Sequence, residues 1–319
     1  MDESVVLTKF DSLNERDMVF FDERQEVIQH DQGGLKVGIR RVRNASVIIA
    51  LIYQKFQFIV TSALVKKPTF QTTPGQAYND TSTTQKREGS DINTASYEIC
   101  DVGKTHFLVA NKFALARPHL MLLTSDEHRR QYESLDQDDW RALSAVLNDL
   151  GDGYVAFFNC GQDGGCSRLH KHMQLTPKPK DSFAAFLDCE NGVEPGVPFQ
   201  WFHHRLKSPT PTPDELLNIY RKLLSKATNA GKGLSEHADN LPAGSAVPHN
   251  MLVTNQWMIV LPRRRASVNK EAGANALGMM GVVAVATRVE MDNWLRVGPV
   301  QALEELGVPV RPGKSSNCY

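Results

Sequence analysis

The stretch Asn159-Cys160-Gly161-Gln162-Asp163-Gly164-Gly165-Cys166-Ser167-Arg168-Leu169-His170-Lys171-His172-Met173-Gln174 sets a glycine-rich turn directly before three imidazole or amide side chains at alternate positions. Alternation is the period of a β-strand, in which residues i, i+2 and i+4 face one way. His170, His172 and Gln174 then stand in one row, with Lys171, Met173 and Leu175 on the reverse side. Gly161, Gly164 and Gly165 allow backbone N–H groups to approach a ligand closely as an anion-binding nest, and the Ser167 hydroxyl adds a donor. Together these features point to phosphate. A neutral imidazole that attacks phosphorus divides one difficult displacement into two easier steps. His172, central in the row, is the candidate nucleophile, and His170 is the candidate for fixing its tautomer or orientation. Gln174 can donate to a phosphate oxygen without competing as nucleophile or proton donor. A lone His-x-His in a strand reads more often as a structural or metal pair; the glycine-serine loop and the upstream strand turn the balance toward catalysis. Cys160, Cys166, His170 and His172 carry zinc-ligand atoms, but five residues separate the cysteines, unlike the close pairs of structural zinc sites. They read as buried fillers, and no metal site in the chain itself is expected.

Outward from this segment, Tyr154 to Asn159 is apolar and aromatic enough for a central strand, and Leu169 to Thr176 continues as its neighbour. Trp140, Leu143, Val146, Leu147 and Leu150 recur at helical spacing, so a helix is expected from about 136 to 150, with Ser134 and Gln137 as capping box and Gly151 and Gly153 as terminators. His106 to Ala110 and His119 to Thr124 read as two buried strands of one sheet. Phe56 to Val65 reads as a strand entering a loop at Lys66-Lys67-Pro68, and the polar stretch Thr69 to Ser96 as a mobile surface loop. Residues 1–45 are charged and weakly periodic and receive no element. Downstream, Thr212-Pro213-Asp214-Glu215 supplies an N-cap, a first-position proline and a third-position glutamate to a helix that buries Leu216, Tyr220, Leu223 and Leu224. Met251 to Thr254 and Trp257 to Leu261 form a hairpin assigned to a second sheet region. Arg263, Arg264 and Arg265 read as a solvated run in preference to a phosphate-facing cluster.

The chain has 319 residues, 41% hydrophobic and 23% charged, with 36 Lys and Arg against 36 Asp and Glu. This is globular usage, with length for roughly two domains and no global charge to favour nucleic acid or an anionic membrane. Five cysteines, Cys100, Cys160, Cys166, Cys189 and Cys318, favour reduced thiols and an intracellular compartment over a disulfide framework. Residues 1–10 lack the apolar core of a secretory signal, and no uninterrupted apolar run approaches about 18 residues; Val47 to Val60 reads as buried strand or helix.

The 159–174 segment resembles the active-site segment of the diadenosine tetraphosphate phosphorylases, or ATP adenylyltransferases, of the histidine-triad superfamily, in which a Gln stands for the third histidine. Further segments agree in order: Ala63-Leu64-Val65-Lys66-Lys67-Pro68, Asn111-Lys112-Phe113 with His119-Leu120, Asn250-Met251-Leu252-Val253-Thr254, Trp257-Met258 and Asn275-Ala276-Leu277-Gly278. The resemblance spans about residue 56 to 319. It implies an α+β, histidine-triad-like fold, mainly an antiparallel sheet packed by helices, with a catalytic region at 1–180 and an elaborated C-terminal region at 181–319 completing the substrate site.

The implied reaction is phosphorolysis of diadenosine tetraphosphate to ATP and ADP. His172 takes AMP, while Gln174 and the loop Gly165, Cys166, Ser167 and Arg168 bind phosphates. Asn159 stands at a polar substrate ligand, Asn111 at a ribose contact, Lys67 (or equally Lys66) at a phosphate, and Asn275, Ala276 and Leu277 at a further substrate segment. Apart from the resemblance, Asn111 reads as a turn residue and Lys67 as a solvated charge. A divalent cation such as Mg is expected with the polyphosphate. The partners implied are diadenosine polyphosphates, ATP, ADP and phosphate, with no nucleic acid or membrane, in the cytoplasm and also the nucleus; no feature specifies an oligomeric state. An adenosine phosphosulfate transferase, a dinucleotide hydrolase and a non-catalytic nucleotide-binding module are the alternatives. The chain departs from the family pattern at Arg168, where small or polar residues are usual, and at Val282 and Ala286, which replace a Met and a Lys.

Overall fold

A computed structural model describes residues 2–33, 53–67, 88–208 and 210–310. Residues 47–52, 69–87 and Cys318 lie outside the described residues, so the readings placed on them are not taken further. The N-terminal elements are α1 (Glu3–Glu15), β1 (Phe20–Phe21), β2 (Glu26–Gly33), β3 (Tyr53–Val60) and α2 (Ser62–Val65). Then follow β4 (Glu98–Val102), β5 (His106–Ala110), β6 (Phe113–Ala114), β7 (Leu120–Thr124), α3 (Gln137–Leu150), β8 (Tyr154–Cys160) and β9 (His172–Pro177). The remainder holds β10 (Phe202–Arg205), α4 (Pro213–Gly231), β11 (His249–Val253), β12 (Trp257–Pro262), β13 (Ser267–Val268) and β14 (Ala272–Gly273). The last elements are α5 (Ala276–Met279), β15 (Val282–Val285), α6 (Arg288–Val297) and α7 (Pro299–Leu306).

Eight strands form one sheet in the order β10-β12-β11-β8-β9-β7-β5-β4, every neighbouring pair antiparallel. Five of these strands precede residue 180 and three follow it. The hairpin β11–β12 is therefore not in a second sheet: β11 pairs directly with β8, Asn250 opposite Asn159. Both strands are buried along their whole length, so each needs a partner on both edges. A smaller sheet, β15-β3-β2, pairs β3 in parallel with β15.

Alternation along β8 and β9 divides the core in two. Ala156, Phe158, Cys160, Met173 and Leu175 face α1, α3 and α4. Val155 and Phe157, with Leu252 and Ile259, face the smaller sheet and the C-terminal helices. Within the charged N-terminal segment, Val6, Phe10 and Leu13 make a one-sided stripe, i, i+4, i+7, that buries α1 in the first core. Its charged residues occupy the outward positions, which masks that stripe in a reading by composition.

Helix starts follow side-chain oxygens. Thr212 and Glu215 form a reciprocal capping box on α4. The box on α3 uses Asp136 and Asp139 instead of Ser134 and Gln137, because Asp136 reaches two orphan N–H groups, those of Asp138 and Asp139. The apolar run after β3 ends in the helical turn α2, where the Thr61 hydroxyl accepts from Ala63 N–H. Behind the His172–Gln174 face, Lys171 is fully buried; its ammonium donates to Asp139 Oδ2 (2.6 Å) and to the Ser134 carbonyl (2.8 Å). Asp139 Oδ1 meets His106 Nε2 at 3.1 Å. The row of alternate residues therefore has a buried ionic anchor on its reverse side, fixing β9 to the start of α3.

Candidate active site

His172 opens β9 on the face away from α3 and α4, and its side chain is nearly excluded from solvent. Its Nδ1 lies 2.8 Å from the His170 carbonyl, and a carbonyl only accepts, so the proton sits on Nδ1 and the lone pair on Nε2. Burial lowers the ring to about 4, partly opposed by the bond to His170, so the imidazole is neutral at neutral pH. The backbone carbonyl of His170 thus meets the nucleophile candidate, while the His170 ring turns away. Its Nε2 donates to the Thr124 carbonyl (2.9 Å), and its Nδ1 faces the Ser90 hydroxyl at 2.8 Å.

The β8–β9 ladder runs from Tyr154 opposite Pro177 to Phe157 opposite Gln174. Beyond it, the carboxamide of Gln131 takes the place of direct strand pairing. Gln131 Nε2 donates to the carbonyls of Asn159 (3.1 Å) and His172 (2.9 Å), and its Oε1 accepts from His172 N–H (2.7 Å). The strands separate beside His172, and the backbone groups of residue 172 stay paired. Gln131 lies far from the motif in sequence and carries no periodic signal, so sequence reading missed it.

Gln174 shares the His172 face. The Nδ1 of His119 accepts from Leu115 N–H, so its Nε2–H is donated to Gln174 Oε1 at 3.0 Å. Among the described residues the amide nitrogen of Gln174 has no partner, which leaves its two donors available. Burial lowers His119 to about 3, keeping it neutral. Asn111 performs a turn function, accepting from Phe113 N–H (3.1 Å), and its amide lies 3.2 Å from His119 Nε2.

The glycine loop is tightly built. A Cβ on Gly164 would lie 2.2 Å from the Cys160 carbonyl oxygen, and one on Gly165, which has φ +82°, would lie 2.6 Å from the Ala274 oxygen. The N–H groups of Gly164 and Gly165 close turns onto Gly161 (3.0 Å) and Gln162 (2.9 Å). From Gly165 to Ser167, the donors without a partner among the described residues are therefore the N–H and hydroxyl of Ser167. Arg168 and Lys67 bring two cations together: desolvation, with the Arg168 charge added, lowers Lys67 to about 8, while the Lys67 side chain remains accessible. Burial raises Cys166 to about 12, so it stands in the loop as a thiol.

The end of the stretch read as a surface loop is part of this site. Ser90, Ile92 and Thr94 are buried, and Asp91 accepts from Leu169 N–H (2.7 Å) and His170 N–H (2.9 Å). From the C-terminal region, Ala276 N–H donates to Asn159 Oδ1 (2.8 Å), and Asn275 caps α5 through Gly278 N–H. Leu277 is core, as is Val282 at the start of β15, while Ala286 N–H meets Glu290. Asp163, Glu236 and His237 bring ligand-type atoms within 4.8 Å of one another, but Asp163 already accepts from His237 Nδ1 (2.7 Å) and N–H (3.0 Å). Arg263 is neither solvated nor facing open space; it is fully buried behind the glycine loop.

Residues 54–190 match the family model of the Ap4A phosphorylase N-terminal domain, Ap4A being diadenosine tetraphosphate, and residues 195–309 that of the ATP adenylyltransferase C-terminal domain. Diadenosine 5',5'''-P1,P4-tetraphosphate phosphorylase 2 of Saccharomyces cerevisiae is 26% identical over 212 residues, 58% of this chain and 64% of that protein. Protein APA1 of the same yeast is 28% identical over 242 residues, 68% of this chain and 73% of that protein. The crystal structure of yeast Ap4A phosphorylase Apa2 superposes with a TM-score of 0.68 at 19% identity, covering 99% of this chain and 97% of that one. The same enzyme in complex with Ap4A gives 0.68 at 18% identity, covering 97% and 98%. Among the described residues no helix is long and apolar enough to cross a membrane.

Proposed function

The chain belongs to the Ap4A phosphorylase family of ATP adenylyltransferases, and from that membership we propose that it phosphorolyses diadenosine tetraphosphate to ATP and ADP through an adenylyl-histidine. The Nε2 lone pair of His172 attacks the α-phosphorus, the bond to the bridging oxygen breaks, and ATP leaves. An oxygen of inorganic phosphate then attacks the same phosphorus, the P–N bond breaks, and ADP leaves with the neutral ring restored. ATP is a weakly basic leaving group and needs no general acid, which suits an amide at Gln174. The Gln174 amide, the Asn159 amide and Ser167 supply donors to the charge that develops on the phosphoryl oxygens, and Lys67 and Arg168 supply cations.

The observation that carries this reading is the His172 ring, neutral, tautomerically fixed by the His170 carbonyl and flanked by amides. Both nitrogens of His119 are engaged, so it offers no base to water, whereas phosphate arrives as a nucleophile already charged. A divalent cation such as Mg enters on the polyphosphate. Asp91, the carboxylate whose charge acts on His172, is engaged by two backbone N–H groups; a divalent cation would be held by the polyphosphate oxygens and would supply positive charge to them. Action in the cytoplasm and nucleus belongs to the same proposal, in keeping with Cys160, Cys166 and Cys189, which form no disulfide. The deciding experiment incubates Ap4A and Mg with the protein, with and without labelled phosphate. Phosphate-dependent ATP with label in ADP is the expected result; AMP and ATP formed without phosphate would make the protein a hydrolase.

Only the neutral ring attacks, and it is already neutral well below pH 6. ATP release in the half-reaction is therefore expected to fall on the acid side near pH 4, instead of near the ordinary histidine value of 6.5. An acid limb centred between 6 and 7 would exclude His172 as the titrating group. Gln174→Glu keeps an acceptor for His119 but replaces the two amide donors by a carboxylate facing phosphate. Its kcat/KM is expected to drop by about 10²–10³-fold with little change in thermal stability; a drop below threefold would remove Gln174 from phosphate binding.

A further inference from the structure

We propose that Arg263 is a positioning residue for adenylyl transfer: through Asn250 it fixes which end of the Asn159 amide faces the substrate. The proposal rests on the reaction proposed above. Arg263 follows β12 and is fully buried, yet its guanidinium touches no carboxylate among the described residues. Nε donates to the Leu306 carbonyl (3.2 Å). Nη2 donates to the carbonyls of Arg265 (2.8 Å) and Ala274 (2.9 Å). Nη1 donates to Asn250 Oδ1 (2.6 Å) and to the Gly164 carbonyl (3.3 Å). One planar fork therefore joins α7, the segment before α5, strand β11 and the glycine loop, a pattern that an ammonium cannot reproduce.

A guanidinium has donors only, and this sets a direction through the chain of amides. Asn250 must turn its oxygen to Arg263, so its Nδ2 donates to Asn159 Oδ1 (3.0 Å) and to the Gly164 carbonyl (2.7 Å). Asn159 Oδ1 also accepts from Ala276 N–H (2.8 Å), which occupies both its lone pairs. The Asn159 amide nitrogen is then the end left over, and no described residue takes its protons. Asn159 stands two residues before Gly161 and continues the β8 face that holds Phe157 opposite Gln174, and Gln131 bridges its carbonyl to that of His172. The same fork holds the Gly164 carbonyl in place, and Gly165 packs on the Ala274 carbonyl that Arg263 also binds.

The variant that separates this role from simple support of the fold is Asn250→Asp. The new carboxylate still accepts from Arg263, as an ion pair, but cannot donate to Asn159. Asn159 is then driven to turn its amide over, donating to that carboxylate and showing its oxygen to phosphate. The flip takes the acceptor from Ala276 N–H and the donor from the Gly164 carbonyl, so the expected result is a folded protein with a modestly lowered Tm and kcat/KM for Ap4A lowered about 100-fold. In NMR spectra the side-chain amide signal of Asn159 should change from fast to slow hydrogen exchange. Wild-type kcat/KM and an unchanged Asn159 signal would overturn the proposal. Should Asn250→Asp not fold, Arg263→Lys carries the test. It keeps the charge and loses the fork, with a loss of at least about tenfold in kcat/KM expected and wild-type kinetics as the contrary result. Absence of phosphorolysis in the unmodified protein would sink the reaction and not the relay, which the Asn159 amide signal reads without substrate.

Discussion

His172→Ala is expected to abolish adenylyl transfer, lowering kcat by at least about 10⁴-fold, while the protein remains folded. Such a factor corresponds to roughly 5 kcal/mol of lost transition-state stabilisation. No other described group beside it can take over the attack: His170 uses its ring on Thr124 and Ser90, and His119 has both nitrogens engaged. The fold survives because Gln131 binds the backbone of residue 172, not its side chain. Residual activity then measures what the positioned donors achieve alone. The check is a pair of measurements on one sample, phosphorolysis rate and AMP affinity. Loss of turnover with retained AMP binding is the expected outcome, and full turnover would remove the nucleophile assignment.

The largest effect on stability is expected at the neighbouring residue. Lys171→Met removes the cation from a fully buried pair and leaves Asp139 with the His106 ring and the Asp136 N–H, about 3–5 kcal/mol in cost. For a chain of this size that lowers Tm by on the order of 10 °C. The loss arises from a stranded charge and not from lost volume, so the double variant Lys171→Met with Asp139→Asn should recover a measurable part of it. A single variant that melts within about 2 °C of the parent would show that the interior of this sheet solvates Asp139 by other means.

His172 and Gln174 were legible as one strand face because a short segment holds the strand period, whereas His170, read into the same row, lies before β9 with its ring turned to Thr124 and Ser90. The face assignment of Lys171 and Met173 followed from the same period, and Lys171 does lie on the reverse side. The α4 cap was legible since Thr212, Pro213 and Glu215 act within one turn. Gln131, Asp91 and Arg263 were not legible, because their partners are 41, 78 and 99 residues away. Arg263 was misleading for a physical reason. In a run of three arginines it shares the composition of a solvated surface, yet five carbonyl-type acceptors from separate segments meet it after folding. Asp91 was hidden by the polar stretch before it, whose composition says nothing of the last few residues. The hairpin at 251–261 was recognised as a hairpin, but its place against β8 depends on a non-local pairing that no local pattern encodes.

The position of β8 between β9 and β11 has a consequence for synthesis on the ribosome. Its partner on one side follows after a dozen residues, whereas the other, β11, ends about 90 residues later, roughly 5–20 s at ordinary translation rates. Throughout that interval Val155-Ala156-Phe157-Phe158 presents a bare, apolar edge to any other extended chain nearby. A ribosome halted near residue 200 would therefore display β9 beside an open template for aggregation, and arrival of the β11–β12 hairpin closes that edge at the same moment as it delivers Asn250.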